Sequence, residues 1–311
     1  MADKITLISG TANPNLSRSI SEYLGKDLCD VSAERFSDGE IQVSINENIR
    51  GQDVFIIQPT FPPAENMLEL LILIDACYRA SANRITAVIP YYGYARQDRK
   101  HKPRVSISAK LMANLIETSG AHRVLAFELH AAQIQGFFDI QLDNLFATPV
   151  FLEYIMKKKF NDPVVVSPDV GGIKMARAFA KKVEAKLAIV DKRRMTPDAT
   201  EVMNIIGDVS GSDIIIFDDI ISTAGTITQA AEALKKEGAK RIIAAASHPV
   251  FSGPALERLE KSVIEEVVVT NSIPFNGSGK CSKVKVLDLS SLLGEAIRRI
   301  HKEESISMLF I

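Results

Sequence analysis

The sequence predicts an α/β protein made of two tandem, duplicated domains, each a mostly parallel sheet flanked by helices. Three observations carry this. Short β-branched runs alternate with runs of helical period along all 311 residues. Runs such as 214–217 are apolar at every position, as in strands buried on both faces. The halves also repeat each other. Glu40-Ile41-Gln42-Val43 leads to Gly51-Gln52-Asp53 and a strand over 54–57, and Glu201-Val202-Met203-Asn204 leads to Gly211-Ser212-Asp213 and a strand over 214–217. Each then passes through a helix to a matching junction, Ala82-Asn83-Arg84-Ile85 and Ala239-Lys240-Arg241-Ile242. The expected domains are 1–146 and 147–311, with the C-terminal tail folding back on the first.

Composition narrows the partners. A net charge of −1 gives no basic surplus for nucleic acid and no polybasic block for a membrane surface. Cys29, Cys77 and Cys281 are isolated thiols, which suits the reduced cytoplasm. The first residues read as a strand and not as a signal peptide. The most apolar helical run, 68–77, carries Glu69 and Asp75 and is too short to span a bilayer.

In chain order, strands are expected over 5–9, 54–57, 85–89, 124–127, 164–166, 187–190, 214–217, 242–246 and 267–270. Helices are expected over 16–24, 67–81, 106–119, 149–159, 174–183, 227–237, 253–261 and 291–301. Between them, Arg35-Phe36-Ser37-Asp38-Gly39-Glu40 reads as an exposed turn entering a strand over 41–45. The stretch Gln58-Pro59-Thr60-Phe61-Pro62-Pro63 follows a strand but lacks donors at its prolines, so it forms no anion cradle. The cationic loop 91–104 follows the strand over 85–89, at the sheet end where open α/β folds bind ligands. Its arginines suit polyphosphate; composition alone fits a solvated basic loop equally well.

His130 follows another strand, where a lone histidine by itself reads as structural. Asp169 sits in a Ser-Pro-Asp-Val-Gly-Gly turn, where it can cap the next helix. Asp191-Lys192-Arg193-Arg194 places adjacent cations outside a helix, either solvated or ordered by an anion. The most informative stretch runs from the strand 214–217 into Asp218 and Asp219, expected just past the strand's end. The loop Ser222-Thr223-Ala224-Gly225-Thr226 and a helix come next. A strand, a small-residue loop and a helix N-terminus make an anion cradle, with Gly225 expected to let the backbone approach the anion. Two carboxylates beside it need sugar hydroxyls or Mg2+ as partners, so the stretch points to a phosphosugar with a metal.

The form Asp-Asp-x-x-x-Thr-x-Gly-Thr resembles the phosphoribosyl-pyrophosphate loop of the type I phosphoribosyltransferase fold, and looks most like that of the ribose-phosphate pyrophosphokinases. Four further motifs in the same order resemble that family, so the likeness runs from Phe36 to the tail. It implies two phosphoribosyltransferase-like domains. It also implies transfer of pyrophosphate from ATP to ribose 5-phosphate, for nucleotide, histidine and tryptophan biosynthesis, with Mg2+ in a homohexamer that shares its active sites. By the same resemblance Arg96, Gln97, Asp98 and His130 contact ATP, with Phe36, Asp38 and Glu40 lent by a neighbouring subunit. His130 and Asp169 are the metal-linked positions. Asp218, Asp219, Ser222, Thr223, Ala224, Gly225 and Thr226 hold ribose 5-phosphate, and Lys192 and Arg194 are catalytic. Arg50, Ser305 and Ser307 match an allosteric anion site, although position 48 is Asn where many phosphate-regulated members have Ser. Ser222 also departs from the family, most members of which have Asp. Two rival readings remain: a phosphoribosyltransferase using the same loop, and a non-catalytic regulatory homologue.

Overall fold

The computed structural model describes residues 4–193, 202–277 and 279–310. They form two compact units, Met1–Ala147 with Ser272–Pro274 and Asp288–Ile311, and Thr148–Asn271 with Phe275–Leu287. The first unit contains β1 (Ile5–Ser9), α1 (Pro14–Leu24), β2 (Val31–Arg35), β3 (Ile41–Ile45), β4 (Asp53–Ile57), α2 (Glu65–Arg79), β5 (Arg84–Ile89), α3 (Ser108–Thr118), β6 (Arg123–Phe127) and β7 (Gln141–Leu145). The second contains α4 (Thr148–Met156), β8 (Val164–Ser167), α5 (Ile173–Lys182), β9 (Lys186–Arg193), β10 (Val202–Ile206), β11 (Asp213–Ile221), α6 (Gly225–Lys236), β12 (Arg241–Pro249), α7 (Ala255–Lys261), β13 (Glu266–Thr270) and β14 (Val284–Leu287). The last helix, α8 (Ser290–His301), belongs to the first unit.

The first sheet runs β1-β4-β5-β6-β7, all parallel. The second runs β10-β9-β8-β11-β12-β13-β14, parallel except for β10. Taken in order, β1 to β7 match β8 to β14, and the intervening helices match too. Details repeat as well. Gly51 and Gly211 share a left-handed backbone, φ +71° and +72°. Their N–H groups donate at 2.9 Å to the carbonyls of Ser81 and Gly238, each just past its helix. Only glycine takes such a φ without strain, which is why both copies keep it.

The copies differ at one hairpin. β9 and β10 extend the second sheet, whereas β2 and β3 form a separate antiparallel ribbon. An isolated bridge, Leu7 with Leu28, joins the segment before that ribbon to β1. The central strands carry the cores: β4 is buried throughout, and Ile214–Phe217 of β11 are wholly buried. Each unit is closed by the helix that follows the other copy's last strand. α4 follows β7 and packs on α5; α8 follows β14 and packs on α1. α8 is fastened through Asp53, 1% exposed, which accepts from Arg84 Nε at 2.9 Å and lies 2.8 Å from His301 Nδ1.

The sequence expectation is corrected at several points, among them β9, expected to end at Val190, which continues to Arg193 through its pairing with β10. β11 does not stop at Phe217: it continues to Ile221 because β12 pairs with it that far, so Asp218 and Asp219 lie within the strand. α6 starts at Gly225, inside the expected loop. The strands β2, β7, β10 and β14 were not anticipated. They are edge or ribbon strands, half-exposed or exposed over most of their described residues, and carry polar residues that blur an apolar run.

Candidate active site

In the second unit the chain leaves β8, winds outward through β9 and β10, and then crosses to β11 on the other flank. The order therefore reverses between β8 and β11, and their carboxyl ends open a crevice of the kind where α/β sheets bind ligands. Three acidic residues come from these two strands' ends. Asp169 follows β8, and its Oδ1 accepts from the N–H groups of Gly171 and Gly172 at 2.8 and 3.1 Å. The expected helix cap is thus a turn instead, as α5 has no side-chain cap. Asp218 lies on β11, and its Oδ1 accepts from Asp219 N at 2.9 Å. A side-chain carbon at Gly172 would be 3.9 Å from both Asp169 Oδ1 and Asp218 Oδ1, so the two carboxylates flank that glycine.

Burial holds the Asp218 carboxyl well above the usual carboxylate range, and the charges of Asp219 and Asp169 push it further. Its position is rigid because Phe217, one residue earlier, stacks on Phe179 at 4.2 Å and meets Phe151 edge-on at 5.4 Å.

The loop 222–226 leads from β11 into α6. Its left-handed residue is Ala224 (φ +60°, ψ 4°), the N-cap, with no side-chain cap bond. Gly225 is the first helical residue and lies outside the left-handed group. Gly225, expected to let the backbone approach the anion, does so without a left-handed φ: it sits at an open position, where an added carbon would meet only Arg258 Nη1 at 3.4 Å and Thr223 Oγ1 at 3.8 Å. With no capping side chain, the first N–H groups of α6 face outward for an anion. Ser222 does not cap the helix either: its Oγ lies 3.0 Å from Ser252 Oγ.

Sequence reasoning missed Ser252 and Arg258. Arg258 Nη1 donates to Thr223 O at 3.1 Å. Both residues follow β12, at the same sheet end as the loop, and that position was the only signal available. Lys192 lies on β9, where its backbone pairs with Met203. β9 runs beyond its last partner on β8, Ser167 opposite Ile189, so 190–193 extend along the edge that carries Asp169. Arg194 lies outside the described residues.

In the first unit, Arg96 and Gln97 are exposed and Asp98 is half-buried in the loop after β5. Gln97 is pinned by Ser108 Oγ donating to its Oε1 at 2.5 Å and by Ala109 N donating to its carbonyl at 3.2 Å. The loop is close-packed at Gly93, where an added carbon would lie 2.0 Å from the Thr60 carbonyl oxygen. Gln133 Nε2 donates to Asp98 Oδ2, which joins this loop to the one carrying the exposed His130. Phe36, Asp38 and Glu40 form the tip of the β2–β3 ribbon, where local bonds hold them: Phe36 N to Glu40 O at 2.9 Å and Glu40 N to Asp38 Oδ1 at 3.1 Å. Phe36 is 51% exposed.

The equivalent of the crevice in this unit is filled. Gln58 Oε1 accepts from Ala12 N at 3.1 Å, and an added carbon at Gly10 would lie 2.2 Å from that same oxygen. Glu69, 5% exposed, accepts from Thr11 N at 2.7 Å and from Thr11 Oγ1. Arg50, Ser305 and Ser307 are exposed. Ser305 Oγ lies 2.7 Å from Ser307 Oγ, and Arg299 Nη1 donates to Ser305 O at 2.9 Å.

Comparison with known proteins agrees along the whole chain. A family profile described as the N-terminal domain of ribose phosphate pyrophosphokinase matches residues 5–120. A second, described as the phosphoribosyl synthetase-associated domain, matches residues 192–311. The ribose-phosphate pyrophosphokinase of Chlorobaculum tepidum is 55% identical over 311 residues, 100% of this chain and 96% of its own. That of a Nostoc species is 53% identical over 309 residues, 99% and 94% of the two chains. The crystal structure of phosphoribosylpyrophosphate synthetase from Mycobacterium smegmatis is 39% identical, with a TM-score of 0.91 over 97% of this chain and 100% of its own.

Proposed function

The chain belongs to the ribose-phosphate pyrophosphokinase family, and from that premise we propose how its residues divide the work. It is a transferase that moves the pyrophosphoryl group of ATP to O1 of ribose 5-phosphate, giving phosphoribosyl pyrophosphate and AMP. The ribose 1-hydroxyl oxygen attacks the β-phosphorus in line. The bond from that phosphorus to the α–β bridging oxygen breaks, the hydroxyl proton leaves, and AMP departs. Such a reaction needs positioning and charge stabilisation more than covalent help from the protein.

The single observation that carries the ribose 5-phosphate assignment is the Asp169, Asp218 and Asp219 cluster beside the open N-terminus of α6, at the β8–β11 reversal. In this reading the N–H groups of 223–226 take the 5-phosphate, and Asp218 and Asp219 take the ribose hydroxyls. Lys192 and Arg194 neutralise charge developing on the transferred group. Arg96, Gln97, Asp98 and His130 take ATP, joined by Phe36, Asp38 and Glu40 from a neighbouring copy in a homohexamer. An exposed aromatic on a ribbon tip held only by local bonds fits that lending role. Arg50, Ser305 and Ser307 are the candidate anion site in the same unit.

Mg2+ is the proposed metal. The carboxyl cluster offers hard oxygen donors whose like charges repel one another, which fits a divalent cation. Among the described residues, no three His, Cys, Asp or Glu side chains converge as a ready-made cage. Asp169, Asp218 and Asp219 would therefore hold Mg2+ by one or two carboxylates, with water and substrate oxygens completing its shell. His130 is the second candidate ligand. Bound Mg2+ would offset charge on the phosphate oxygens. Among the described residues no helix is long and apolar enough to cross a membrane, and the proposed site of action is the cytoplasm.

The test is AMP formation by purified protein supplied with ATP, Mg2+ and ribose 5-phosphate, with each omitted in turn. AMP that appears only with all three supports the reading. AMP formed without ribose 5-phosphate, or none at all, overturns it.

A further inference from the structure

We propose that Arg258 is a positioning residue for the reaction: by holding the Thr223 carbonyl it turns the Thr223–Ala224 peptide so that the Ala224 N–H faces the 5-phosphate of the sugar. This rests on the reading of 222–226 as the phosphate cradle.

The segment after β12 grips the loop at three successive residues. Phe251 N donates to Ile221 O at 3.0 Å, and Ser252 N donates to Ser222 O at 3.0 Å. Arg258 Nη1 then donates to Thr223 O at 3.1 Å. The first two contacts use backbone donors and survive any substitution short of proline. The third depends on a side chain. It falls on the residue just before Ala224, whose left-handed backbone (φ +60°) is one that residues with a side chain reach only at a cost. Such a conformation persists when its surroundings determine it: Thr228 N and Thr228 Oγ1 donate to the Ala224 carbonyl at 3.1 and 2.8 Å on its far side, and the Arg258 bond is the side-chain contact that holds the peptide before it.

Geometry then fixes the consequence. In a trans peptide the C=O and N–H point in opposite directions. A donor clasping Thr223 O on one side therefore sends the Ala224 N–H to the other, where the unpartnered N–H groups of the α6 N-terminus begin. Arg258 can hold this post because α7 is anchored beneath it by Ala255 and Leu259, both fully buried. Its guanidinium also borders the cradle, 3.4 Å from where a side chain on Gly225 would begin.

The experiment compares Arg258→Met, Arg258→Lys and Gly225→Asp in the full-length protein by steady-state kinetics with each substrate varied. Met keeps the long stem and removes the donor; Lys keeps one donor. Loss of one charge-assisted hydrogen bond should raise KM for ribose 5-phosphate about tenfold in Arg258→Met. In that variant KM for ATP should stay within about twofold, and Arg258→Lys should recover most of the loss. Gly225→Asp brings a carboxylate to the cradle within reach of the Arg258 guanidinium, so it is also made in the Arg258→Met background, where it should still raise the same KM. If Arg258→Met leaves ribose 5-phosphate KM unchanged, or raises both KM values alike, while Gly225→Asp acts as stated, the positioning role is wrong and the cradle reading stands. If Gly225→Asp leaves ribose 5-phosphate KM unchanged, the cradle reading itself falls, and the role of Arg258 with it.

Discussion

Gly172 should change sign as a site of substitution depending on one hydroxyl. Its backbone (φ −80°, ψ −2°) is one that alanine adopts freely. In an open environment Gly172→Ala would therefore stabilise by about 0.4–1 kcal/mol through the unfolded chain. The environment is not open. The new carbon would lie 2.9 Å from Ser167 Oγ, a fully buried hydroxyl that donates to Asp169 O at 2.7 Å. Making room costs the usual overpacking penalty of about 1–3 kcal/mol, so the net effect is a loss of up to about 2.5 kcal/mol, centred near about 1–1.5 kcal/mol. Ser167→Ala alone should cost about 1 kcal/mol for its hydrogen bond. It also removes the obstructing atom, so adding Gly172→Ala to that background should be neutral or gain about 0.5 kcal/mol. The coupling between the two positions is then about 1–2 kcal/mol, well outside additivity. Urea unfolding midpoints of the four proteins, followed by circular dichroism, measure it. If Gly172→Ala costs the same with and without the Ser167 hydroxyl, the packing account of this turn, which holds Asp169 beside Asp218, is refuted.

Other consequences are open to direct measurement. Lys192→Ala and Arg194→Ala should each lower kcat by about 10²–10³ with both substrates still bound, and near-normal kcat would remove them from the mechanism. Mixing Phe36→Ala chains with Lys192→Ala chains should restore some activity if sites are shared, and no recovery in verified mixed oligomers would mean each site comes from one chain. Ser222→Asp should fold normally, because the Ser252 hydroxyl 3.0 Å away can donate to a carboxylate. It should shift KM for ribose 5-phosphate and spare that for ATP; a protein that makes AMP only after this substitution would be a retired enzyme. The Asp218 carboxyl, raised by burial and by Asp219 and Asp169, favours folding while protonated and loses that contribution as pH climbs from the ordinary carboxylate range through its raised value. Without metal, Asp218→Asn should thus gain in thermal midpoint over the parent between acid and neutral pH, and Mg2+ should shrink the gap. A pH-independent difference would contradict the assignment of the charge strain to Asp218.

Much of this could be read in the residues before the fold was seen. The consecutive apolar runs located the central strands, since residues buried on both faces tolerate little else. The duplication was visible because Gly51 and Gly211 answer the same backbone demand. Edge strands such as β7, with Gln141 and Asp143 turned to partial solvent, have no such constraint and left no clear pattern. The end of β11 was misjudged at Asp218 because strand length there is set by β12, a partner distant in sequence. Gly225 drew attention as the loop's glycine, yet the strained residue is Ala224, held by contacts that include Arg258. Those contacts join separate segments after β11 and β12, and no local spacing announces them.

The occupied crevice of the first unit bears on how such a pair of copies ages. Glu69 is a buried carboxylate satisfied by Thr11, and Gln58 occupies the room beside Gly10. Restoring a ligand site there would require emptying the position of Gln58, neutralising or removing Glu69, and rebuilding the proline-bearing stretch after β4. Emptying Gln58 takes the partners of the Ala12 N–H and the Asn66 carbonyl, and removing Glu69 takes those of the Thr11 N–H and hydroxyl, each hydrogen bond being worth about 0.5–1.5 kcal/mol. Selection meets that loss before any gain in binding. Divergence of the two halves would therefore work as a ratchet: with side chains closed over the first copy's crevice, single steps toward reopening it each cost stability, while the second copy keeps its crevice open.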